Sequence, residues 1–166
     1  MKTTAFFTRI LSWLTGSRLT VGNSVVRELD LDRFLGSWYE VARFDHFFER
    51  GMSQTKANYV LRDDGNIDVI NTGIKNGKPK TAKGLAKLTD IPSLLRVSFF
   101  GPFYSDYRVM LIDTDYRYML IGSGSDGYLW ILSRTPQLAD SDRTAILSEA
   151  KSRGYETDKL IWVKQN

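Results

Sequence analysis

Cysteine is absent from this chain, and His46 is its only histidine. Without thiols, the chain can form no disulfide bond, no thiolate metal site and no cysteine nucleophile, and it has no cysteine that could be acylated. A metal site built from several histidines is excluded, and a Ser-His-Asp triad would have to use His46. We therefore expect no catalytic residue, no metal site and no cofactor.

Long apolar runs and blocks of one charge are also missing. No stretch of the sequence is long and apolar enough to span a bilayer as a helix. The net charge of +4 is concentrated in residues 1–28, which carry four basic residues and one acidic residue. In the rest of the chain, basic and acidic residues alternate, so we expect no nucleic-acid partner.

The length of 166 residues is enough for one domain with a substantial core. Aromatic residues make up 13% of the chain, which is rich for a soluble globular protein. Because aromatic side chains bury large areas, we expect a core or a cavity lined with rings.

Residues 1–25 are predicted as a leader, and residues 26–166 as the folded domain. A helical period over residues 3–14 places Phe6, Ile10 and Leu14 on one side and Arg9 on the other. Arg9 interrupts the apolar run that a secretory signal needs. Two interpretations stay open. One is a helix that packs on the body or on a second subunit, or a poorly recognised export signal; the other is an interfacial helix that contacts a membrane.

The rest of the chain is dominated by short segments with the two-residue alternation of β-strands, separated by turn sequences such as Asn76-Gly77. Eight short strands at near-regular spacing favour a closed antiparallel barrel or a sandwich. The predicted strands are Trp38–Phe44, Gln54–Leu61, Ile67–Ile74, Lys80–Leu88, Leu94–Phe100, Tyr107–Ile112, Tyr118–Gly122 and Tyr128–Ser133.

One long helix is predicted near the end of the chain. Asp140 or Ser141 can cap its start, and Gly154 stands where the left-handed residue after a helix belongs. Its apolar stripe predicts that it lies against the sheet. Leu160–Val163 is predicted as a final short strand at an edge.

Three short motifs resemble the signature regions of the lipocalins. They are Gly36-Ser37-Trp38-Tyr39-Glu40, Asp113-Thr114-Asp115-Tyr116 and Leu132-Ser133-Arg134-Thr135. The resemblance covers the chain from about Val26 to Val163. It implies an all-β fold with one C-terminal helix, an eight-stranded antiparallel up-and-down barrel open at one end. The structural signature residues that it implies are Gly36, Trp38, Thr114, Asp115, Tyr116 and Arg134, with Arg134 crossing the ring of Trp38 at the closed base.

Longer runs are similar to the bacterial outer-membrane lipocalins, namely Gly36–Gly51, Val97–Tyr104 and Tyr128–Pro136. This similarity implies binding of fatty acids or lysophospholipids in envelope maintenance, and a periplasmic or outer-membrane location. Proteins of this subgroup usually begin with a lipoprotein signal that ends in an acylated cysteine, which this chain lacks. A cytoplasmic or peripheral membrane location therefore stays open.

The family resemblance places Phe44, His46, Phe47 and Phe48 in the large loop over the cavity mouth. These rings either contact a ligand or anchor the loop. A catalytic or metal-binding role for His46 is disfavoured, because loop histidines more often only form hydrogen bonds.

The strand alternation, matched to the lipocalin pattern, predicts a mostly apolar pocket for an amphiphile. We expect small residues such as Ala82 and Gly84 to leave room inside. Tyr128 and Trp130 are the strongest candidates for ligand contact. The predicted ligand-binding residues are Phe44, Phe47, Phe48, Ala57, Tyr59, Val69, Asn71, Ala82, Leu95, Val97, Phe99, Tyr107, Val109, Tyr128 and Trp130.

The favoured function is a carrier of a small hydrophobic or amphiphilic ligand, not an enzyme. Two alternatives stay open. One is a lipocalin-fold enzyme, which would need a reactive group in the cavity. The other is an interaction module whose exposed aromatic segment, Phe99–Tyr104, docks a partner or a second copy in a homodimer.

Overall fold

The computed structural model describes residues 19–166, so the helix predicted over residues 3–14 lies outside the described residues. A short helix α1 (Leu31–Phe34) precedes eight strands. A helix α2 (Asp140–Ser152), a 3-10 turn (Thr157–Lys159) and a last strand β9 (Leu160–Trp162) follow them. The eight strands are β1 (Gly36–Phe44), β2 (Ser53–Leu61), β3 (Ile67–Lys75), β4 (Lys78–Leu88), β5 (Leu94–Phe100), β6 (Phe103–Ile112), β7 (Tyr118–Gly122) and β8 (Leu129–Ser133).

The sheet closes on itself. Each strand pairs antiparallel with the next, and β1 pairs with both β2 and β8. The first half of β1 pairs with β2, whereas β9 lies beside the second half, from Ala42 to Phe44. The predicted eight-stranded antiparallel barrel with one C-terminal helix is therefore confirmed.

The strand boundaries follow the predicted alternation closely, with one clear difference in β6. This strand begins at Phe103, four residues before the predicted start at Tyr107. Phe100 pairs with Phe103 across a tight turn in which Gly101 has a φ of +60°, a conformation that favours glycine. The residues after this turn therefore extend the hairpin between β5 and β6.

The chain that enters β1 closes the base of the barrel. Asp30 caps α1 by accepting a hydrogen bond from the backbone N–H of Arg33. Phe34, fully buried, inserts its ring into the barrel with its centroid 4.8 Å from that of Tyr59. The lowest layer of the interior is therefore solid core, and any cavity must lie above it.

Helix α2 packs on the outside of the barrel through Ile146 and Ala150, both fully buried. The prediction that Asp140 or Ser141 caps this helix is wrong. The N-cap residue is Ala139, which provides no side-chain hydrogen bond, and Asp140 lies in the first turn. A carboxylate there still stabilises the helix through the macrodipole. Gly154 follows the helix with a φ of +96°, as predicted.

Residues 20–26 straddle the predicted boundary between leader and domain, and they lie against the barrel. The backbone N–H of Thr20 donates to Asp126 Oδ1 over 2.8 Å. The N–H of Gly22 donates to the carbonyl of Arg153, and that of Val26 to the carbonyl of Val109. Within residues 19–166, no helix has the length and hydropathy needed to cross a bilayer.

Candidate ligand cavity

The signature residues lie at the closed base, away from the cavity mouth. The guanidinium of Arg134 lies 3.7 Å from the centroid of the Trp38 ring, the arrangement that the resemblance implies. Its nitrogens donate to the carbonyls of Ser37, Arg33 and Leu35. Gly36 adopts a φ of +92° beside this guanidinium. These contacts stabilise the fold and contribute no surface to a ligand site.

The segment Asp113-Thr114-Asp115-Tyr116 forms the turn between β6 and β7 at the same end. The carboxylate of Asp113 accepts hydrogen bonds from the backbone N–H of Asp115 and from the backbone and side chain of Arg117. The hydroxyl of Tyr116 accepts the backbone N–H of Asp30. The carboxylate of Asp113 therefore shapes the turn, and it is not a candidate acid or base.

Above the base, the barrel holds a cavity with two connected chambers. The inner chamber has a volume of about 60 Å³ and a mostly apolar wall. The outer chamber, at the open end, has a volume of about 420 Å³. One water needs roughly 10–15 Å³ of cavity, so the inner chamber is narrow but large enough to be occupied. Five residues line both chambers and mark their junction: Glu40, Phe48, Glu49, Asn71 and Phe99.

Most of the predicted ligand-binding residues meet in this cavity. Ala82 lies at the wall of the outer chamber. At Gly84, the ring of Phe99 occupies the space that a side chain would need, because a Cβ there would come within 2.8 Å of that ring. The predicted residues that line the inner chamber are Phe48, Ala57, Tyr59, Val69, Asn71, Val97, Phe99, Tyr107 and Trp130.

Five of the predicted residues line neither chamber. Leu95 and Val109 point inward but are fully buried in the solid core near the base. Phe44 lies on the outer side of the barrel wall, in the cluster under α2 and next to Tyr155. Tyr128 stacks on Trp130, with the ring centroids 5.8 Å apart, and lies next to His46 of the loop. Phe47 lies with its ring 5.2 Å from that of Phe48.

The aromatic segment Phe99–Tyr104 is only partly exposed. Phe99 lines both chambers and Phe100 lines the outer one, whereas Phe103 is 46% exposed. Two rings of the segment that was predicted as a docking surface, those of Phe99 and Phe100, therefore line the cavity.

The outer chamber is bordered by lysines. Lys75, Lys80 and Lys83 lie at its wall, and none of them has an acidic partner among residues 19–166. Lys56 also borders it, with its Nζ 4.6 Å from the centroid of the Tyr39 ring. In the described part of the barrel, β4 pairs with β5 only from Leu85 onward, so the wall is open beside these lysines. The mouth is therefore positively charged.

A buried polar cluster occupies the junction of the two chambers. Arg43 Nη1 donates to Glu40 Oε1 over 2.8 Å and lies 4.0 Å from Glu49 Oε2. Arg43 Nη2 donates to the carbonyls of Glu49 and Met52. Burial raises the pKa of Glu40 well above its usual value, and the charge and hydrogen bond of Glu49 raise it further, against the opposing effect of Arg43. Glu40 therefore keeps its proton to a higher pH than an ordinary glutamate.

His46 lies next to this cluster and is only 5% exposed. Burial lowers its pKa to about 4, so the imidazole is neutral at physiological pH. Its Nε2 lies 3.2 Å from Glu49 Oε1, but the angle does not suit a hydrogen bond. The ring packs on Phe48, with the two centroids 3.9 Å apart. These contacts anchor the loop to the barrel. Among residues 19–166, no group of three or more side chains is arranged to hold a metal ion.

Three residues of the polar junction were not predicted from the sequence: Glu40, Arg43 and Glu49. Glu40 shares the face of Trp38, so strand alternation could have revealed it. Arg43 could not be found in this way, because a β-bulge between Glu40 and Ala42 shifts the alternation by one residue. The bulge turns Arg43 inward and Phe44 outward. Glu49 comes from the loop after β1, whose shape no pattern specifies. Asp106, Ile121 and Leu132 also line the inner chamber.

Two tyrosines and one aspartate of the inner chamber are held in hydrogen bonds. The hydroxyls of Tyr59 and Tyr107 hydrogen-bond to each other over 2.8 Å. Burial raises the pKa of both phenols, so both stay protonated. Asp106 is held by Arg96 and Arg108. The arrangement suits reversible binding of an apolar chain beside a polar group.

Comparison with known proteins agrees with this geometry. The model of the lipocalin-like domain matches residues 29–165. The chain is 49% identical over 148 residues to the outer membrane lipoprotein Blc of Citrobacter freundii, covering 87% of this chain and 84% of that protein. It is 46% identical to Blc of Escherichia coli strain K12, with the same coverage of both proteins.

Among solved structures, the cockroach allergen Per a 4 superposes with a TM-score of 0.71 at 20% identity, covering 89% of this chain and 94% of that one. Such a likeness shows a shared barrel fold. The family match and the relatives support binding of a small hydrophobic ligand, since lipocalins are binding proteins. On the evidence of its sequence, its closed barrel and these relatives, the chain belongs to the lipocalin family.

Proposed function

We propose that this protein binds and carries a single-chain amphiphile, a fatty acid or a lysophospholipid, in the maintenance of the cell envelope. The observation that carries the proposal is the two-chamber cavity, in which a narrow apolar space leads to a wider space bordered by lysines. A chain in the inner chamber would place its polar group at the junction or beyond. The outer-membrane lipoprotein name of the relatives supports the envelope role.

The two parts of such a ligand fit the two chambers. The inner chamber is narrow, so it suits one unbranched alkyl chain better than a rigid ring system. Each buried methylene stabilises the complex by about 0.8 kcal/mol. A carboxylate or phosphate that reaches the outer chamber would meet Lys75, Lys80 and Lys83, whose charges are not neutralised by described acidic residues. Affinity thus comes mainly from the chain, and orientation from the head group.

Lipid extraction and native mass spectrometry of the purified full-length protein test this proposal. We expect copurified single-chain lipid, or saturable uptake of added palmitate or lysophospholipid with one molecule bound per chain. Because Trp130 lines the inner chamber, a fluorescent fatty acid should quench its emission.

The matched control is Trp162→Phe, which removes an exposed tryptophan on β9 far from the cavity. Trp130→Phe should abolish most of the quenching, whereas Trp162→Phe should preserve it. If no lipid copurifies and a fluorescent fatty acid at micromolar concentration leaves the tryptophan emission unchanged, carrier function is refuted.

A further inference from the structure

We propose that Glu40 and Glu49 form a binding site for the ammonium group of a single-chain amphiphile at the junction of the two chambers. The inference rests on the proposed function, because it assumes an alkyl chain in the inner chamber. The ammonium site adds the chemistry of the ligand's polar end. The lysine-bordered mouth points instead to anionic head groups.

The first support is an imbalance of charge within the cavity. Both carboxyl groups line the inner and the outer chamber, and one guanidinium, that of Arg43, faces them both. His46, from the loop, is neutral. Trp130, from β8, offers only its indole N–H, at 3.4 Å from Glu49 Oε1. Asp106, from β6, is occupied by Arg96 and Arg108. With both carboxyls ionised, the junction therefore carries one uncompensated negative charge.

The second support is independent of the carboxylates. Thr55 is only 4% exposed, lines the outer chamber, and its Oγ1 has no hydrogen-bond partner among the described residues. Asn71, which lines both chambers, likewise has a buried Oδ1 without a partner in residues 19–166. Buried polar atoms are rarely left unpaired in folded proteins. Asn71 Oδ1 can only accept a hydrogen bond and Thr55 Oγ1 can accept one, so both suit a ligand that donates. Arg43 Nε and the two ring nitrogens of His46 are also unpaired among the described residues.

The strand geometry aims both oxygens at the same space as the carboxyls. Thr55 alternates with Ala57 and Tyr59 on the inner face of β2, and Asn71 lies directly opposite Ala57 on β3. Glu40 faces them from β1. A primary ammonium group has three N–H donors and no acceptor. A carboxylate, Thr55 Oγ1 and Asn71 Oδ1 together offer the acceptors that such a group requires.

The position along the cavity matches an amphiphile. A chain that fills the inner chamber ends at the junction, where its polar group is next to Glu40 and Glu49. Burying an ammonium group is costly unless it is paired with an anion and hydrogen-bonded. Here the proton held between the two carboxyls leaves to solvent, and the ammonium ion takes its place. The charge of the cluster is then the same before and after binding.

The test compares three probes with the same chain: dodecylamine, dodecanol and dodecanoate, each titrated into the full-length protein. We expect dodecylamine to bind about tenfold or more tightly than dodecanol near neutral pH, because a charge-assisted contact replaces a neutral one. Calorimetry in buffers of different ionisation enthalpy should detect a proton released with the amine and none with the alcohol.

Two isosteric variants and one control separate the explanations. Glu40→Gln and Glu49→Gln should each reduce the preference for the amine to about twofold while dodecanol binding is kept, since the chain contacts are unchanged. Asp45→Asn removes one carboxylate from the same loop, outside both chambers, and should keep the preference. Asp45 is an exposed partner of Arg50.

The outcomes are distinct. Equal binding of amine and alcohol overturns the ammonium site and leaves the carrier function standing. A preference for the amine that survives when Glu40→Gln and Glu49→Gln are combined has the same consequence. Tight binding of dodecanoate alone also overturns the ammonium site and assigns the polar end to the lysines. Failure of all three probes refutes the carrier function itself and the ammonium site with it.

Discussion

The guanidinium of Arg134 lies 3.7 Å from the centroid of the Trp38 ring while Trp38 donates its indole N–H to the carbonyl of Phe34. Arg134 also donates to the carbonyl of Phe34, over 3.3 Å. The two side chains thus hold the same turn of backbone from two sides. They connect β8 to the segment that closes the barrel.

Replacing Arg134 by alanine should therefore destabilise the barrel and leave its ligand preference unchanged. We expect a loss of about 2–4 kcal/mol in the free energy of unfolding, from the cation–π contact and the unpaired carbonyls. Urea denaturation measures it. Arg62→Ala is the control, because Arg62 is an exposed arginine that only pairs with Asp64 and Asp68, and it should have little effect. Equal free energies of unfolding for wild type and Arg134→Ala would rule out this structural role.

His46 should make the stability depend on pH between its ordinary pKa of 6.5 and its pKa of about 4 in the folded protein. In that interval the unfolded chain binds a proton that the folded protein rejects. The contribution is therefore present above pH 6.5 and lost as the pH falls to about 4. The free energy of unfolding should fall by roughly 3 kcal/mol over this interval.

Replacement of His46 by phenylalanine removes this titration and keeps an aromatic ring against Phe48. The difference in unfolding free energy between wild type and variant should thus shift in favour of the variant as the pH is lowered from about 7 to about 4. Chemical denaturation at several pH values measures it. A difference independent of pH would contradict the assignment.

Glu40 should have the opposite pH dependence, since burial raises its pKa in the folded protein. Above the ordinary glutamate value of 4.5, the unfolded chain loses a proton that the folded protein retains. The stabilisation is complete below that value and declines as the pH rises toward the folded pKa. Glu40→Gln, which keeps the neutral shape, should therefore gain stability relative to wild type as the pH is raised above 4.5. Chemical denaturation at several pH values measures it, and a difference that stays constant as the pH is raised would contradict the raised pKa of Glu40.

Ala57→Phe should block the inner chamber. Ala57 lies on its wall, so a phenyl ring there would take the space of the ligand chain. We expect fatty acid binding to fall by about tenfold or more, with a cost in stability of about 1–3 kcal/mol. Fluorescence titration and thermal unfolding measure the two effects. Ala145→Phe, the same change at an exposed position of α2, should leave binding unchanged. Unaltered binding by Ala57→Phe would place the ligand elsewhere.

Reversing the charge of Lys80 and Lys83 together should weaken dodecanoate binding more than dodecanol binding. Both lysines border the outer chamber, and their attraction for an anion should fall as salt is added. The effect should be about threefold to tenfold at low ionic strength and smaller at high ionic strength. Lys151→Glu, on the exposed surface of α2, serves as the control. An equal loss of affinity for dodecanoate and dodecanol would indicate that the variant distorts the cavity opening, and would contradict a charge contact.

The strands could be predicted from the sequence because their alternation is regular, and the closed barrel and its base because three compact motifs resemble the lipocalin signatures. The inner wall around Ala57, Tyr59 and Val69 follows from the unbroken alternation of β2 and β3. Sequence alternation tells which residues point inward but not how deep they lie. For that reason Leu95 was predicted in the pocket, although Phe34 and its neighbours fill that level of the barrel.

The polar junction could not be predicted, because it depends on two irregular features. The loop after β1 brings Glu49 and His46 back over the mouth, and their positions follow from burial and not from any repeat. The bulge in β1 reverses the facing of Arg43 and Phe44. No turn residue such as glycine marks it in the sequence.

That bulge decides the charge at the junction of the two chambers. Without it, β1 would alternate strictly from Trp38, so the benzyl group of Phe44 would enter the barrel and the guanidinium of Arg43 would leave it. Glu40 and Glu49 would then face a hydrocarbon ring in place of a cation, although no residue of the sequence had changed. In a barrel of this kind, one irregular residue in a strand can alter a cavity more thoroughly than several substitutions on the wall.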